Sequence, residues 1–315
     1  MSTLTVAVIG ECMIELQQHN DVLVQSFGGD TLNTAVYLSR LNQDKSMRIS
    51  YFTALGKDPF SQNMLQHWQD EGIDTQHVLQ MDNKLPGLYA IEVDDTGERQ
   101  FHYWRNDSAA KYCFEHAPEQ WLATLSQYDV LYLSGITLAI LTDESREVLF
   151  ETLAKCRANG SKVIFDNNFR PHLWQSHAQA KSAYLTMLGL TDIGLLTFED
   201  EQAVFGDTQI QTCIDRSLAA GLTEVVIKRG AQECMVITAE QQLSIPATLV
   251  ENVVDTTSAG DSFAAGYMAM RLRGQSYSQA AEAGHLLAGT VIQYKGAIID
   301  ISLMPTITPV VKQAS

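Results

Sequence analysis

Short, almost wholly apolar runs alternate with amphipathic helical stretches along this chain, and that rhythm narrows the possible folds more than any other feature. The runs "TVAVIG" (5–10), "RISYFTALG" (48–56), "VLYLSG" (130–135), "KVIFDNN" (162–168), "IGLLTF" (193–198) and "EVVIKRG" (224–230) read as strands. Several are apolar nearly throughout, as strands covered on both faces must be. Helical patterns lie between them, such as "TDESREVLFETLAKCRANG", with a capping-box-like start at Thr142 and a stop at Gly160. Strand–helix alternation predicts an α/β fold with a doubly wound, mainly parallel sheet and helices on both faces. Ligands of such sheets bind beyond the carboxyl ends of the strands. Two stretches, 13–27 and 87–105, break the rhythm and read as β-hairpins, the second turning at "DDTGE". No linker or repeat divides the chain, so the expectation is one domain over 1–315, with a small β lid built from about 13–27 and 87–105.

The formal charge of −16 argues against nucleic acid and anionic membranes as partners, since both need basic patches. It also means that an anionic substrate would have to be caught by local cations. No apolar stretch approaches the length of a membrane span. Five scattered cysteines without a CxxC pair read as reduced thiols filling a core, and the expected location is cytoplasmic.

The stretch "VVDTTSAGDSF" (253–263) precedes a helix of small residues. Residues 255–257 are the expected N-caps, and Ser258, Ala259 and Gly260 leave backbone amides open. A helix N-terminus of that kind suits an anion, although tight helix packing would select the same residues. Asp261 decides between them. A carboxylate beside bound phosphate is repelled, so its presence points to chemistry: taking a proton from an attacking hydroxyl. A second glycine-rich segment, "FGGDTLNTAVYLSRL" (27–41), carries Gly28, Gly29, Asp30 and Asn33 at a helix start. The paired glycines suit close approach to a ligand or a simple turn, and Asn33 can both donate to and accept from sugar hydroxyls. In the second lid hairpin, strand alternation puts Phe101, Tyr103 and Arg105 on one face, and Tyr89 on the partner strand can share it. Two tyrosines and a guanidinium suit a small polar anion. Arg170, after "DNNF", is a second candidate cation, and Asn167 and Asn168 stand where a phosphate or metal-bound water could be contacted. His172 and His177 do not share a helix face, Ser134 lacks a GxSxG elbow, and only Gly10 follows the first strand, which disfavours a transition-metal site, a serine hydrolase and a dinucleotide fold.

Together "VIGECMIEL", "GGDTLN", "KRG" and "DTTSAGDSF" resemble the PfkB (ribokinase-like) family of carbohydrate kinases over essentially the whole chain. Within it, "GECMIEL", "PGLY", "YWRN" and "DNNFRP" are similar to kinases of 2-dehydro-3-deoxygluconate. The resemblance implies ATP as phosphoryl donor, Mg²⁺ as cofactor, a small sugar acid as partner and a homo-oligomer. Asp261 resembles the family's base and Ser258–Asp261 its anion hole. The expected sugar side is Gly28, Gly29, Asp30, Asn33, Tyr89, Tyr103, Arg105, Arg170 and Asp261, and the expected ATP side is Asn168, Lys228, Arg229 and Gly230, with Ser258, Ala259 and Gly260. The family's acidic NxxE motif is reduced to "FEDE" (198–201), with Phe198 in place of Asn, so the protein ligands of Mg²⁺ stay unassigned; Glu199 and Glu201 read as solvated acids at a helix start. Glu15 stands where the family places an acidic sugar-binding residue. A kinase of a neutral sugar such as fructose or ribose is the alternative, and a non-catalytic sugar-binding regulator a more distant one.

Overall fold

The computed structural model describes residues 3–19, 22–93 and 99–309. Its strands are, in order, β1 (Leu4–Ile9), β2 (Met13–His19), β3 (Val22–Gly28), β4 (Met47–Phe52), β5 (Ala54–Leu55), β6 (Leu79–Gln80) and β7 (Gly87–Val93). They continue with β8 (Arg99–Trp104), β9 (Val130–Ser134), β10 (Lys162–Asp166), β11 (Ile193–Thr197), β12 (Glu224–Lys228), β13 (Cys234–Thr238) and β14 (Gln242–Ile245).

Eight of them form one sheet in the order β14-β13-β12-β11-β10-β9-β1-β4. The six strands from β12 to β4 are parallel, and each matches an apolar run legible in the sequence. Strand faces alternate between two cores. Val6 and Val8 pack with the helices Asp30–Arg40, Ala259–Arg271 and Tyr277–Val291, whereas Ala7 and Ile9 pack on the opposite side with Leu149, Leu153 and Tyr184. The chain runs outward from β1 to β4, then returns to place β9 on the other side of β1. Strand order therefore reverses between β1 and β9, which opens a crevice at their carboxyl ends. The pair β13 and β14 extends the sheet antiparallel, a feature absent from the sequence reading.

Both expected hairpins form. They join into a four-stranded sheet, β3-β2-β7-β8, through parallel pairing of β2 with β7. The turn expected within 94–98 lies outside the described residues. Thr142 caps the helix Asp143–Ala158 by accepting from the Ser145 amide at 3.0 Å, but Ser145 stands where a capping box has Glu or Gln, so the cap is one-armed. All five cysteines are free and buried, as expected of core filler. Among the described residues no helix is long and apolar enough to cross a membrane.

Candidate active site

Between the four-stranded sheet and the carboxyl ends of the main sheet lies a cavity of 330 Å³. Each wall comes from an element end. Glu11 follows β1, Asp166 closes β10, Asn168 and Arg170 follow it, Thr197 closes β11, and Lys228 closes β12. Tyr89, Phe101, Tyr103 and Arg105 come from the four-stranded sheet and its end, and Tyr89 pairs directly opposite Tyr103 in the β7–β8 register. Asp30 and Asn33 start one helix and Gly260 and Asp261 start another, and these two helices pack on each other.

That helix contact sets the chemistry. Asn33 Nδ2 donates to Asp261 Oδ2 at 2.8 Å, and Ser258 Oγ donates to the same oxygen at 3.0 Å. Burial, reinforced by the neighbouring Asp30 charge, pushes the Asp261 carboxyl up to about 7 against those two hydrogen bonds. Burial likewise raises Asp30, although Ser134, the Thr31 amide and Asn168 (2.7 Å) donate to it. Five carboxylates (Glu11, Asp30, Asp166, Asp200 and Asp261) line the cavity with only three cations, Arg105, Arg170 and Lys228. Two of the cations are already paired: Lys228 Nζ lies 2.7 Å from Asp166 Oδ2, and Arg105 forms an ion pair with Glu11. Arg170 is exposed, and its Nη1 donates to the Phe169 carbonyl at 2.9 Å. His172 lines the same end; burial, then Arg105 and Arg170, hold its imidazole below the usual range, so it is neutral at pH 7. Three buried polar atoms on the wall, Glu11 Oε1, Asn33 Oδ1 and Arg105 Nε, have no partner.

A second cavity of 380 Å³ adjoins the first, and the two share Thr197, Lys228, Thr256 and Gly260. It is an apolar slot walled by Ala247, Leu249, Val253, Phe263, Ala288 and Ile292, with Arg229, Gly230 and Ala259 on its rim. Arg229 is held there by Glu233, whose Oε1 accepts from Nη2 at 2.5 Å.

Of the residues singled out in the sequence, Gly29, Asp30, Asn33, Tyr89, Tyr103, Arg105, Asn168, Arg170, Lys228, Gly260 and Asp261 line the first cavity. Gly28 and Ser258 do not line it. Several sequence readings need correction. The N-cap is Ser258, without a side-chain cap, while Asp255 accepts from the Thr257 hydroxyl and amide and from the Gly296 amide, closing a turn instead. Glu201 is not solvated: it is fully buried, accepts from Asn167 at 3.0 Å, and pairs with Arg216 at 2.7 Å. Asn167 is consequently a brace and not a ligand contact, since it bonds Thr197 and Glu201. Glu15 turns away from the cavity to accept from Tyr89 and Ser26, and Glu11 is the acid that reaches the wall. Glu201, Asp207 and Cys213 are the one group of three potential metal ligands among the described residues, and Arg216 already pairs with both of its carboxylates.

The glycine pair serves the protein's own packing. A Cβ on Gly29 would sit 2.3 Å from the Glu11 carbonyl, and one on Gly28 would sit 2.2 Å from the Tyr89 hydroxyl. Tyr89 is buried and tied to Glu15, so it has little freedom to yield. Gly28→Ala is therefore expected to destabilise the fold by about 1–3 kcal/mol. Urea unfolding checks this; unchanged stability would contradict it.

Comparison with known proteins agrees with this arrangement. Residues 3–304 match the model of the pfkB family carbohydrate kinases. A 2-dehydro-3-deoxygluconokinase of Dickeya dadantii is 53% identical over 309 residues, covering 97% of this chain and all of that one. One from Escherichia coli is 52% identical over 304 residues, 95% of this chain and 98% of that one. In three dimensions, a fructokinase from Xylella fastidiosa solved with bound ATP superposes with a TM-score of 0.81 at 22% identity, covering 96% of each chain. With a sheet that reverses order beside the cavity, a helix start aimed into it and this likeness over nearly its full length, the chain belongs to the pfkB family of carbohydrate kinases.

Proposed function

We propose that the protein is a 2-dehydro-3-deoxygluconokinase of the cytoplasm, which moves the terminal phosphoryl group of ATP to the terminal hydroxyl of 2-dehydro-3-deoxy-D-gluconate. The observation that carries this is one cavity that brings Asp261, its carboxyl raised to about 7 at a helix start, together with Arg105 and Arg170, in a chain 52–53% identical to 2-dehydro-3-deoxygluconokinases. The chain acts as a single kinase domain, with the four-stranded sheet as its lid.

Asp261 is the base. Both of its hydrogen bonds go to Oδ2, which leaves the other oxygen for the acceptor hydroxyl. The amides of Gly260 and Asp261, in the first helical turn, have no carbonyl four residues back within the helix and serve the transferring group. Arg170, Arg105, Tyr103 and neutral His172 form a polar, cationic end for the substrate carboxylate. The apolar slot suits a nucleotide base, and its junction with the first cavity suits the phosphates. Magnesium suits the donor set as well: it takes oxygen ligands, needs only one or two carboxylates besides phosphate, and Asp200 offers one on the wall. Burial pushes that carboxyl up to about 6 against the opposing pull of Arg170. Bound with ATP, magnesium neutralises charge on the phosphates.

Phosphorus NMR of the product tests the reading: a phosphate monoester on the terminal carbon of the sugar acid is expected, and absence of phosphorylated sugar acid would contradict it. Chelating divalent cations should stop turnover by removing the metal–nucleotide complex but leave the melting midpoint of the nucleotide-free protein unchanged. A large drop in that midpoint would mean that the fold contains a structural metal.

A further inference from the structure

The loop before the helix Ala259–Arg271 has no lysine to meet a phosphate, and an aspartate stands among its amides. A lysine reaches the same place from the sheet. Lys228 is the last residue of β12, its side chain is about nine-tenths buried, and it stands where the two cavities join. A Cβ on Gly260 would lie 3.6 Å from its Nζ, so the ammonium sits directly over the first turn of that helix. Asp166 holds it at 2.7 Å. An ammonium has three donors, and one carboxylate oxygen does not exhaust them. Its four-carbon stem can also re-aim without moving the strand.

On the kinase reading given above, we propose that Lys228 is a catalytic residue that donates to the phosphoryl group in transit, and that Asp166 is the positioning residue that holds it between turnovers. In the transfer, the bond from the acceptor oxygen to phosphorus forms as the bond to the leaving nucleotide oxygen breaks, and the acceptor proton passes to Asp261. Lys228 keeps its proton throughout and offsets charge on the equatorial oxygens, in a cavity where carboxylates outnumber cations. The competing reading is that Lys228 merely neutralises buried Asp166. In that case removing both charges together would restore whatever removing one had lost.

Lys228→Met, Asp166→Asn and the double variant separate the two, with titration calorimetry of AMP, ADP and a non-hydrolysable ATP analogue in the presence of Mg²⁺. For Lys228→Met we expect unchanged AMP affinity, a small loss for ADP and about a 10- to 100-fold loss for the ATP analogue, the worth of one charge-assisted hydrogen bond. Turnover should fall about 10²- to 10³-fold. The double variant should recover the wild-type melting midpoint but neither turnover nor analogue affinity. Near-normal turnover in the double variant, or equal losses for AMP and the ATP analogue, would overturn the proposal. Wild-type protein that binds none of the three nucleotides would overturn the kinase reading with it, whereas wild-type grading retained in Lys228→Met would overturn this inference alone.

Discussion

Replacing Asp261 with Asn should lower kcat by about 10²- to 10⁴-fold while leaving sugar and nucleotide binding nearly intact, because the change keeps size and hydrogen bonding but removes the proton acceptor. The same residue fixes the pH dependence. A base whose carboxyl is pushed up to about 7 is protonated, and inactive, in acid. The kcat/KM of the wild type should therefore climb with pH and level off above about 7, and this limb should vanish from the residual activity of the variant. Stability should move the opposite way. The folded-state value lies above the unfolded one, so Asp261 contributes stability below the unfolded value near 4, and that contribution is lost as pH rises through about 7. At neutral pH the wild type thus carries a buried, partly ionised carboxyl that Asp261→Asn lacks, and the variant should melt at a higher temperature. A variant with near-normal turnover, or one that melts lower at pH 8, would contradict the assignment.

The two arginines at the carboxylate end should behave differently from each other. Arg170 is exposed and bonds a backbone carbonyl, so Arg170→Ala should raise the KM for the sugar acid by an amount equivalent to about 1.5–3 kcal/mol, with little change in stability or in the KM for ATP. Arg105 is the buried partner of buried Glu11, whose side chain is only 1% exposed. Arg105→Ala strands that carboxylate, and breaking a buried pair from one side costs about 3–5 kcal/mol. Its effect on KM should therefore come with a large loss in urea resistance, and Glu11→Gln in the same background should recover part of it. Equal stability losses for both arginine variants would show that Arg170 is a structural residue too.

The parallel sheet was legible because strands covered on both faces leave an unbroken apolar run; five of the six runs became strands within two residues, while the run 48–56 split into β4 and β5, which lies in another sheet. The β13–β14 extension was not: β14 has the half-exposed sequence "QLSI", and the connecting "AEQ" lacks the glycine or asparagine that announces a tight turn. Alternation along β8 correctly put Tyr103 and Arg105 on one face, since that depends on local geometry alone. Pairings across long sequence distances left no local trace. Glu11 meets Arg105 94 residues away, and Lys228 meets Asp166 62 residues away. Glu201 looked like a solvated helix-start acid because its counter-charge, Arg216, comes from the next helix. Asp200, one residue earlier in the same "FEDE", is the acid that reaches the cavity.

The central claim is that this cavity selects a sugar acid over a neutral sugar, and coupled ADP release by the wild-type enzyme measures it directly. With 2-dehydro-3-deoxy-D-gluconate, fructose and ribose offered separately at saturating ATP and Mg²⁺, kcat/KM for the acid should exceed that for either neutral sugar by about 10²-fold or more, the discrimination that one well-placed cation pair supplies. Comparable kcat/KM values for fructose or ribose would contradict the account.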